Sequence, residues 1–330
     1  MKAVVFTDFG LPQDALVVKD VEMPIPEDNQ VLVKVKASSL TVMEGHLFTD
    51  IINGREMDPF MRHMYTEVKI AHDRIMGMDV SGVVEETGKG IKHVKKGDEV
   101  FGFTNDWFGA WAEFACLNED EVALKPSNLS FEEAGALAEA GTAALGAIRA
   151  ANVQPGHSIL VYGSTGGVGL LSLQFAKALG GVVTGVCATC NVDLVREAGA
   201  DFVINFEKED FTQNEEEYDT VLVHNGYNPA ESYIKVCKPG GLVVFVGGNN
   251  QQLDEFRNLW PEKFKDSGKR LTSVSFNNNE RELPFIAELA EADKIKVFLD
   301  KVYPVREVAA AITDKVEIQA HGKMGIKIDF

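Results

Sequence analysis

The stretch that decides the fold runs Ser158-Ile-Leu-Val-Tyr-Gly-Ser-Thr-Gly-Gly-Val-Gly169. An apolar strand, Ser158–Tyr162, leads directly into a glycine-rich turn, and the apolar spacing after it predicts a helix over Val168–Leu179. A second apolar strand, Val182–Cys187, follows within the ~30 residues that one βαβ unit needs. Strand, glycine turn and helix in this order are typical of a parallel α/β sheet that binds a dinucleotide.

The glycine turn, defined here as Gly163–Gly169, predicts a pyrophosphate site. Glycine lets the backbone approach a phosphate, and the free N–H groups at the start of the helix favour its negative charge. Gly166 and Gly169 match the second and third glycines of the G-x-G-x-x-G pattern, whereas Ser164 stands at the first. No lysine follows the last glycine, which excludes a P-loop. The residues predicted to contact the cofactor here are Ser164, Thr165, Gly166, Gly167, Val168 and Gly169.

Strand and helix patterns divide the chain into two domains. From about residue 130, apolar strands alternate with helices, which predicts a doubly wound parallel sheet. The first third instead shows short alternating strands such as Lys2–Phe6 and Gln30–Lys36, typical of an antiparallel, barrel-like unit. Short strands return after Lys294, so we expect the C-terminus to fold back on the first domain. The prediction is an α/β protein with a β-rich domain of residues 1–124 plus 298–330 and a dinucleotide-binding domain of residues 125–297.

Composition and charge restrict the function. A length of 330 residues suits two domains, and 45% hydrophobic with 25% charged residues is ordinary for a globular protein. The formal net charge of −18 disfavours nucleic acid and anionic membranes as partners. No apolar run approaches the ~20 residues that span a bilayer, and four scattered cysteines suit a reducing compartment. We therefore expect a cytoplasmic protein.

The residues after the second strand bear on the choice between NADP(H) and NAD(H). An acidic residue at that strand end would bind the ribose 2′-hydroxyl of NAD and repel a 2′-phosphate, but the strand ends in Cys187. We therefore favour NADPH, with Arg196 as the nearest cation. Asp193 could bind a ribose if the register were shifted, which keeps NADH as an alternative. The residues predicted to contact this end of the cofactor are Cys187, Ala188, Thr189, Asn191 and Arg196.

The pair Cys187-Ala-Thr-Cys190 has the spacing of a dithiol or of half a zinc site. Zinc would need two further ligands at matching spacing, and Cys116 and Cys237 stand alone. We predict no metal site.

Three aromatic residues lie in a glycine-containing stretch, namely Trp107, Phe108 and Trp111. They could line an apolar substrate cleft, or they could belong to the core of the β-rich domain. The sequence leaves both interpretations open.

Several further motifs complete a pattern that resembles the medium-chain dehydrogenase/reductase superfamily, in its zinc-independent branch of quinone oxidoreductases and enone reductases. The motifs, besides the glycine turn, are Lys2-Ala-Val-Val-Phe6, Gly77–Glu85, Gly97–Gly102, Gly109–Glu113, Pro155-Gly156, Asn191–Arg196 with Gly199–Asp201, and Lys238–Gly241. The resemblance implies a GroES-like catalytic domain that contains both termini, an inserted Rossmann domain, and a substrate cleft between them. It also implies a homodimer.

The resemblance also bears on zinc. Zinc-dependent relatives use a cysteine, a His-Glu pair and a further cysteine or aspartate, and here the first two positions read Ser38-Ser39 and Met78-Asp79. The resemblance therefore implies a reductase without zinc, which is poorly suited to alcohol oxidation because nothing replaces the Lewis acid. The implied reaction is hydride transfer from NADPH to a quinone or an α,β-unsaturated carbonyl compound.

Three site residues follow from the resemblance alone. Thr41, where similar proteins often carry asparagine, is implied to position the substrate. Thr142 is implied to approach the nicotinamide, and Lys323 to lie close to the cofactor or its cleft. Two alternatives stay open: an NADH-using reductase without zinc, and a protein that binds NADPH without catalysis.

Overall fold

The computed structural model of the chain describes residues 1–56, 74–104, 108–214, 216–224, 228–247, 266–274, 282–318 and 321–330. These residues form two units. Unit 1 comprises Met1–Glu139, Glu280–Glu291 and Val297–Phe330, and unit 2 comprises Ala140–Asn279 and Ala292–Lys296. Unit 2 is therefore inserted in the sequence of unit 1, as the return of short strands near the C-terminus predicted.

The strands and helices follow the predicted alternation. The strands are β1 (Lys2–Phe6), β2 (Leu16–Asp20), β3 (Gln30–Leu40), β4 (Arg74–Ile75), β5 (Asp79–Thr87), β6 (Glu99–Phe103), β7 (Phe114–Asn118), β8 (Val122–Leu124), β9 (Ser158–Tyr162), β10 (Val182–Cys187), β11 (Phe202–Asn205), β12 (Tyr218–His224), β13 (Cys237–Val246), β14 (Arg270–Val274), β15 (Leu299–Pro304) and β16 (Lys323–Lys327). The helices are α1 (Pro12–Ala15), α2 (Val42–Ile52), α3 (Phe131–Ala134), α4 (Ala138–Ala150), α5 (Gly167–Ala178), α6 (Val192–Glu197), α7 (Ala230–Lys235), α8 (Glu282–Glu291) and α9 (Val308–Ile318).

Unit 1 is a largely antiparallel β structure. One sheet has the strand order β2-β1-β4, and a second has the order β15-β16-β3-β5-β6-β8, with β7 also paired to β3. The residues of strand β3 show the pattern that favours such a sheet. Val31, Val33 and Val35 are buried in the core, whereas Lys34 and Lys36 are exposed. This alternation is typical of a strand that has one face on the core and the other in solvent. The pairing of β3 with β16 brings the C-terminal strand beside residues 37–40.

Helices α3 and α8 belong to unit 1, whereas the sequence-based boundaries at 124 and 298 assign them to the second domain. Helix α3 packs against β3 and β5. The amide of Asn128 donates a hydrogen bond to the carbonyl of Ala290, at the end of α8, over 2.8 Å. The alanine-rich residues 131–141 do not form one helix: α3 ends at Ala134, and a Cβ on the next residue, Gly135, would lie 3.1 Å from backbone atoms of Ala37.

The described residues of unit 2 form a parallel sheet of six strands in the order β11-β10-β9-β12-β13-β14, with helices between them. This is the 3-2-1-4-5-6 order of the Rossmann fold, and it confirms the predicted doubly wound fold class. The two strands predicted around the glycine turn, Ser158–Tyr162 and Val182–Cys187, have the predicted bounds, and the helix between them is α5. Because both faces of the sheet are covered, the strand interiors are apolar, with Leu160, Val186 and Val221 fully buried.

Of the aromatic residues near β7, the two that the structure describes, Phe108 and Trp111, lie in the core of unit 1, which is the second of the two interpretations that the sequence left open. Trp111 is fully buried and Phe108 nearly so, in one cluster with Phe48 and Met76. Gly77 has a φ of +86°, and a Cβ there would lie 2.2 Å from Trp111 Cδ1, so the indole occupies the space that any side chain would need. Trp107 lies outside the described residues.

None of the helices in the described ranges combines the length and the apolar character that crossing a bilayer requires.

Candidate functional site

The glycine turn is a tight connection in which two glycines are sterically required. Gly163 has a φ of +78°, and a Cβ on it would lie 2.1 Å from the carbonyl oxygen of His224, at the end of β12. A Cβ on Gly169 would lie 2.1 Å from the carbonyl oxygen of Gly163. The start of α5 can therefore approach the ends of β9 and β12 only because these residues have no side chain.

Gly166 has open space beside it instead. It is the N-cap residue of α5, no side chain caps the helix there in the described part of the chain, and an added Cβ would meet no atom within 4 Å. Helix N-terminal N–H groups without a protein partner are suited to bind an anion. The turn therefore fits a pyrophosphate, and Thr165, Gly167 and Val168, all partly exposed, lie on it.

Ser164 serves the fold of this turn. Its hydroxyl is buried and donates a hydrogen bond to the carbonyl of Val186 over 2.9 Å. A Cβ on Gly185 would lie 3.2 Å from the Ser164 Oγ, so β10 passes close to the turn. Ser164 therefore fixes the turn against β10, and its side chain is committed to this role.

The predicted cofactor residues after β10 lie together at the carboxyl end of the sheet. Cys187 is buried, Thr189 and Arg196 are exposed, and Asn191 is buried in a 3₁₀ turn, Thr189–Asn191. Arg196 has Asp193 as an exposed neighbour, with 3.7 Å between Nη1 and Oδ1. Asp193, the alternative ligand of the ribose, and Arg196, the cation nearest to the strand end, thus both lie in this region.

Sequence reasoning missed a carboxylate at the same place. The N–H of Thr189 donates a hydrogen bond to Glu207 Oε2 over 3.0 Å, and the Asn205 amide donates to Thr189 Oγ1 over 2.9 Å. Hydrogen bonds from Thr189 lower the pKa of Glu207. The acid follows β11 in sequence, not β10, and only the parallel pairing of these strands brings it beside the turn.

The C-x-x-C pair consists of free thiols. Cys187 is buried, which raises its pKa to about 11, whereas Cys190 is exposed. Among the described residues, no three or more His, Cys, Asp or Glu side chains form a group that could hold a metal ion.

Unit 1 contains five charged side chains in mutual electrostatic contact, Glu44, Asp79, Glu139, Lys315 and Lys323, which we call the charge cluster. Lys323 Nζ lies 3.2 Å from Asp79 Oδ2 and 3.7 Å from Glu139 Oε2. Asp79 also accepts hydrogen bonds from the Ser39 hydroxyl over 2.5 Å and from the Glu139 N–H over 2.8 Å. All of these groups except Lys315 are almost fully buried.

Thr41 is attached to this cluster. It is the N-cap residue of α2, and its hydroxyl donates to Glu44 Oε2 over 2.5 Å while the Glu44 carboxylate also accepts the Thr41 N–H. Lys315 Nζ donates to the Thr41 carbonyl over 2.6 Å. The Thr41-x-x-Glu44 spacing is that of a capping box, so this pairing could have been predicted from the sequence.

Burial and charge set the protonation of the cluster. Burial raises the pKa of Glu44, and it raises the pKa of Glu139 to about 7. Burial and the positive charge of Lys323 lower the pKa of Lys315 to about 8. Burial alone lowers the pKa of Lys323, but the carboxylates of Asp79 and Glu139 outweigh it and raise the value.

The structure thus brings two of the predicted residues, Thr41 and Lys323, to one cluster in unit 1. Thr142 is buried on α4 and belongs to unit 2, as do the residues of the glycine turn. Glu44, Glu139 and Lys315 were not predicted. Glu139 stands in an alanine-rich apolar stretch, and a charged residue in such a stretch is a signal for a buried polar role.

The residues at the positions of the zinc ligands do not fit a zinc ion. Ser39 and Asp79 are hydrogen-bonded to each other, and the Lys323 ammonium lies against the same Asp79 oxygen. Met78 presents its sulfur 3.8 Å from Thr41 Oγ1. A buried ammonium ion beside the carboxylate repels a second cation, and a hydroxyl with a thioether is not a ligand set that zinc favours.

Two family models match the chain. The model of the alcohol dehydrogenase GroES-like domain matches residues 27–144, and the model described as zinc-binding dehydrogenase matches residues 198–324. They cover parts of the β-rich unit and of the Rossmann unit, respectively, with the second extending into the C-terminal strands.

Individual proteins agree with these matches. The chain is 34% identical over 259 residues to the 2-methylene-furan-3-one reductase of Solanum lycopersicum, covering 75% of this chain and 62% of the relative. It is 33% identical over 258 residues to the chloroplastic NADPH-dependent alkenal/one oxidoreductase of Arabidopsis thaliana, covering 75% of this chain and 63% of the relative. The match thus spans less than two thirds of either relative.

A solved structure matches over the whole length. The quinone oxidoreductase from Coxiella burnetii superposes with a TM-score of 0.82 at 26% identity, covering 100% of this chain and 99% of that one. The strand order of unit 2, the two family models and these similarities agree. The chain belongs to the medium-chain dehydrogenase/reductase superfamily.

Proposed function

We propose that this protein is an NADPH-dependent oxidoreductase that reduces a quinone or an α,β-unsaturated carbonyl compound without zinc. The glycine turn carries the proposal, because its open N-cap at Gly166 and its two obligatory glycines leave backbone N–H groups for a pyrophosphate. NADPH, when bound, supplies the hydride. The reductase and oxidoreductase named above support the substrate class.

The residues of this chain have separate roles in the proposal. The glycine turn binds the pyrophosphate, and Thr142 and Lys323 remain proposed contacts of the cofactor. A reduced enone carries negative charge on its oxygen, and hydrogen-bond donors stabilise that charge. Thr41 is the donor that we propose for positioning the substrate.

The absence of zinc is part of the proposal. It is supported by the Lys323 ammonium beside Asp79 and by the thioether of Met78 at a ligand position. Metal analysis of the purified protein tests it: the proposal predicts far less than one zinc per chain, and activity unaffected by a chelator. Stoichiometric zinc that is lost together with activity would contradict it.

Two observations favour NADPH. Strand β10 ends in Cys187 and has no acidic residue at its end, and the Arabidopsis relative is named as NADPH-dependent. One observation favours a second candidate, an NADH-using reductase. The Glu207 carboxylate, fixed on the Thr189 N–H, would repel a 2′-phosphate and could accept a hydrogen bond from a ribose hydroxyl.

A parallel titration with NADPH and NADH separates these candidates. Energy transfer from tryptophan to the bound nicotinamide reports binding, with bovine serum albumin as the control for nonspecific signal. Tighter binding of NADPH supports the proposal. Tighter binding of NADH would favour the second candidate and the role of Glu207, and binding of neither would contradict both.

The location and the assembly are proposed with the function. We propose a cytoplasmic homodimer that acts on a small molecule and binds neither nucleic acid nor membrane. Size-exclusion chromatography with light scattering tests the assembly, and a monomeric mass would contradict it.

A further inference from the structure

One polar side chain of unit 2 is buried at the carboxyl end of the parallel sheet without a hydrogen-bond partner. His224 is the last residue of β12 and is 5% exposed as a residue. Its Nε2 atom is buried and has no hydrogen-bond partner in the part of the chain that the structure describes. A buried polar atom without a partner costs free energy, so an atom of this kind in a folded protein calls for an explanation.

The imidazole of His224 is uncharged at neutral pH. Burial lowers its pKa from 6.5 to about 4. A neutral imidazole has one nitrogen that donates a hydrogen bond and one that accepts, so Nε2 can pair with a hydroxyl group in either sense. Because it carries no charge, it suits a hydroxyl group better than a phosphate.

The position of His224 in the sheet is typical of a ligand-binding residue. β9 and β12 are neighbours, and the chain continues from β9 to one side of the sheet and from β12 to the other. Where the strand order reverses in this way, a crevice at the carboxyl ends of the strands holds the ligand. A Cβ on Gly163 would lie 3.3 Å from the His224 Cβ. The side chain of His224 therefore begins beside the first residue of the glycine turn.

The proposed position of the adenosine determines which half of the cofactor reaches β12. The residues proposed for the adenosine ribose follow β10, which lies on one side of β9, whereas β12 lies on the other side. The pyrophosphate is proposed to bind at the glycine turn, between β9 and α5. A dinucleotide that extends across the crevice from β10 therefore places its second ribose, the one that carries the nicotinamide, over the end of β12. This ribose has two hydroxyl groups.

We propose that His224 Nε2 forms a hydrogen bond with a hydroxyl group of the nicotinamide ribose and so positions the half of the cofactor that carries the hydride. The inference rests on the proposed function and adds to it a residue outside the glycine turn. Because Nε2 is buried in the free protein, the ribose must displace the atoms that cover it, and the new hydrogen bond offsets part of that cost.

Fragments of the cofactor separate this contact from the rest of the site. ADP ends at the pyrophosphate, and ADP-ribose adds only the second ribose; both are used with a 2′-phosphate if NADPH binds more tightly than NADH. In calorimetric titrations, His224→Leu should bind ADP-ribose about 5- to 10-fold more weakly than wild type, the effect of one hydrogen bond, and should bind ADP equally well. His224→Gln, whose amide nitrogen can take the place of Nε2, should retain most of the affinity. His157→Leu, the same substitution just before β9 at the amino end of the sheet, is the control and should bind both fragments as wild type does.

Two further measurements distinguish a contact with the ribose from a structural role. Without ligand, His224→Leu should unfold at the same denaturant concentration as wild type or at a higher one, because it removes a buried polar atom that has no partner. In wild type labelled with ¹⁵N in histidine, the imidazole signal that His224→Gln lacks should shift when ADP-ribose is added and stay in place when ADP is added.

Equal changes in the affinity for ADP and ADP-ribose in His224→Leu, or no change in either, would overturn the inference. So would a ligand-free His224→Leu protein that is much less stable than wild type, or an imidazole signal that ADP-ribose does not shift. If wild type binds NADPH or NADH, these outcomes leave the proposed function intact. Wild type that binds neither dinucleotide would contradict the proposed function and this inference together.

Discussion

Lys323 and Asp79 are 244 residues apart in the sequence, yet Lys323 Nζ lies 3.2 Å from Asp79 Oδ2 in the interior of unit 1. The ion pair joins the C-terminal strand β16 to β5, and β3 lies between these two strands in the sheet. A buried pair of this kind is costly to break, because the remaining partner would be an uncompensated charge.

Replacing Lys323 with methionine should therefore destabilise the protein by about 3–5 kcal/mol at pH 7, since Asp79 and Glu139 lose their ammonium partner. This loss of stability should become smaller as the pH falls, because protonation of a carboxylate removes the unpaired negative charge. Denaturant unfolding at several pH values measures both effects. Lys327→Met, at an exposed position of the same strand, is the control. A loss of stability that stays constant or grows towards acid pH would show that the unpaired carboxylate charge is not its cause.

Replacing Gly166 with valine should abolish dinucleotide binding and leave the fold intact. The N-cap φ of −76° is allowed for any residue, and an added Cβ meets no protein atom within 4 Å, but the side chain would fill the space proposed for the pyrophosphate. We expect at least ~100-fold weaker binding, or ~2.7 kcal/mol, in the fluorescence titration.

Gly10→Val is the matched control, because the nearest atom to a Cβ at Gly10 is 4.0 Å away and the position lies in unit 1. It should bind the dinucleotide as wild type does. Binding by Gly166→Val with wild-type affinity would mean that the pyrophosphate does not occupy the glycine turn.

Replacing Glu207 with glutamine should shift the preference towards NADPH by roughly 5- to 10-fold, because a carboxylate near a 2′-phosphate is repulsive. The shift should be largest at low salt, since the carboxylate is exposed and screened by ions. The ratio of the two dissociation constants is the measurement, and Glu197→Gln, an exposed acid on α6, is the control. An unchanged ratio at low salt would place the 2′ position away from Glu207.

Asp219 should make the stability of unit 2 depend on pH. Burial alone raises its pKa, but hydrogen bonds from the Ser158 N–H and hydroxyl and from Lys238 lower it from 3.8 to about 2. The stabilisation is thus present above the unfolded value of ~3.9 and is lost as the pH falls towards 2. Because the side chain is partly exposed, we expect about 1–2 kcal/mol.

The comparison of Asp219→Asn with wild type by denaturant unfolding at pH 7 and at pH 3 measures this contribution. The difference between the two proteins should be smaller at pH 3. Asp193→Asn, at a fully exposed position, should show no such dependence. If wild type and Asp219→Asn differ in unfolding free energy by the same amount at both pH values, the charge of the Asp219 carboxylate does not contribute to stability.

Local sequence patterns predicted the α/β part of the fold well. The bounds of β9 and β10 follow from short apolar runs between glycines, and the glycine turn follows from spacing alone. The end of helix α3 at Ala134 could not be predicted from local patterns. It depends on the close approach of Gly135 to Ala37, which is distant in sequence.

The candidate site was predicted less completely, for the same physical reason. Thr41 and Lys323 were named, but their link through Glu44 and Asp79 depends on contacts between α2, β5 and β16. Glu207 was missed because the acidic residue was sought after β10, whereas strand pairing supplies it from the end of β11. Single-sequence patterns report neighbours along the chain, and these groups meet only through the tertiary fold.

The most direct test of the proposed function is the oxidation of NADPH by the wild-type protein in the presence of a set of quinones and enones, with the reaction lacking an acceptor as the blank. The account predicts acceptor-dependent oxidation of NADPH with at least one compound and its loss in Gly166→Val. Tight binding of NADPH with no oxidation by any acceptor would contradict the account, and it would favour a protein that binds the cofactor without catalysis.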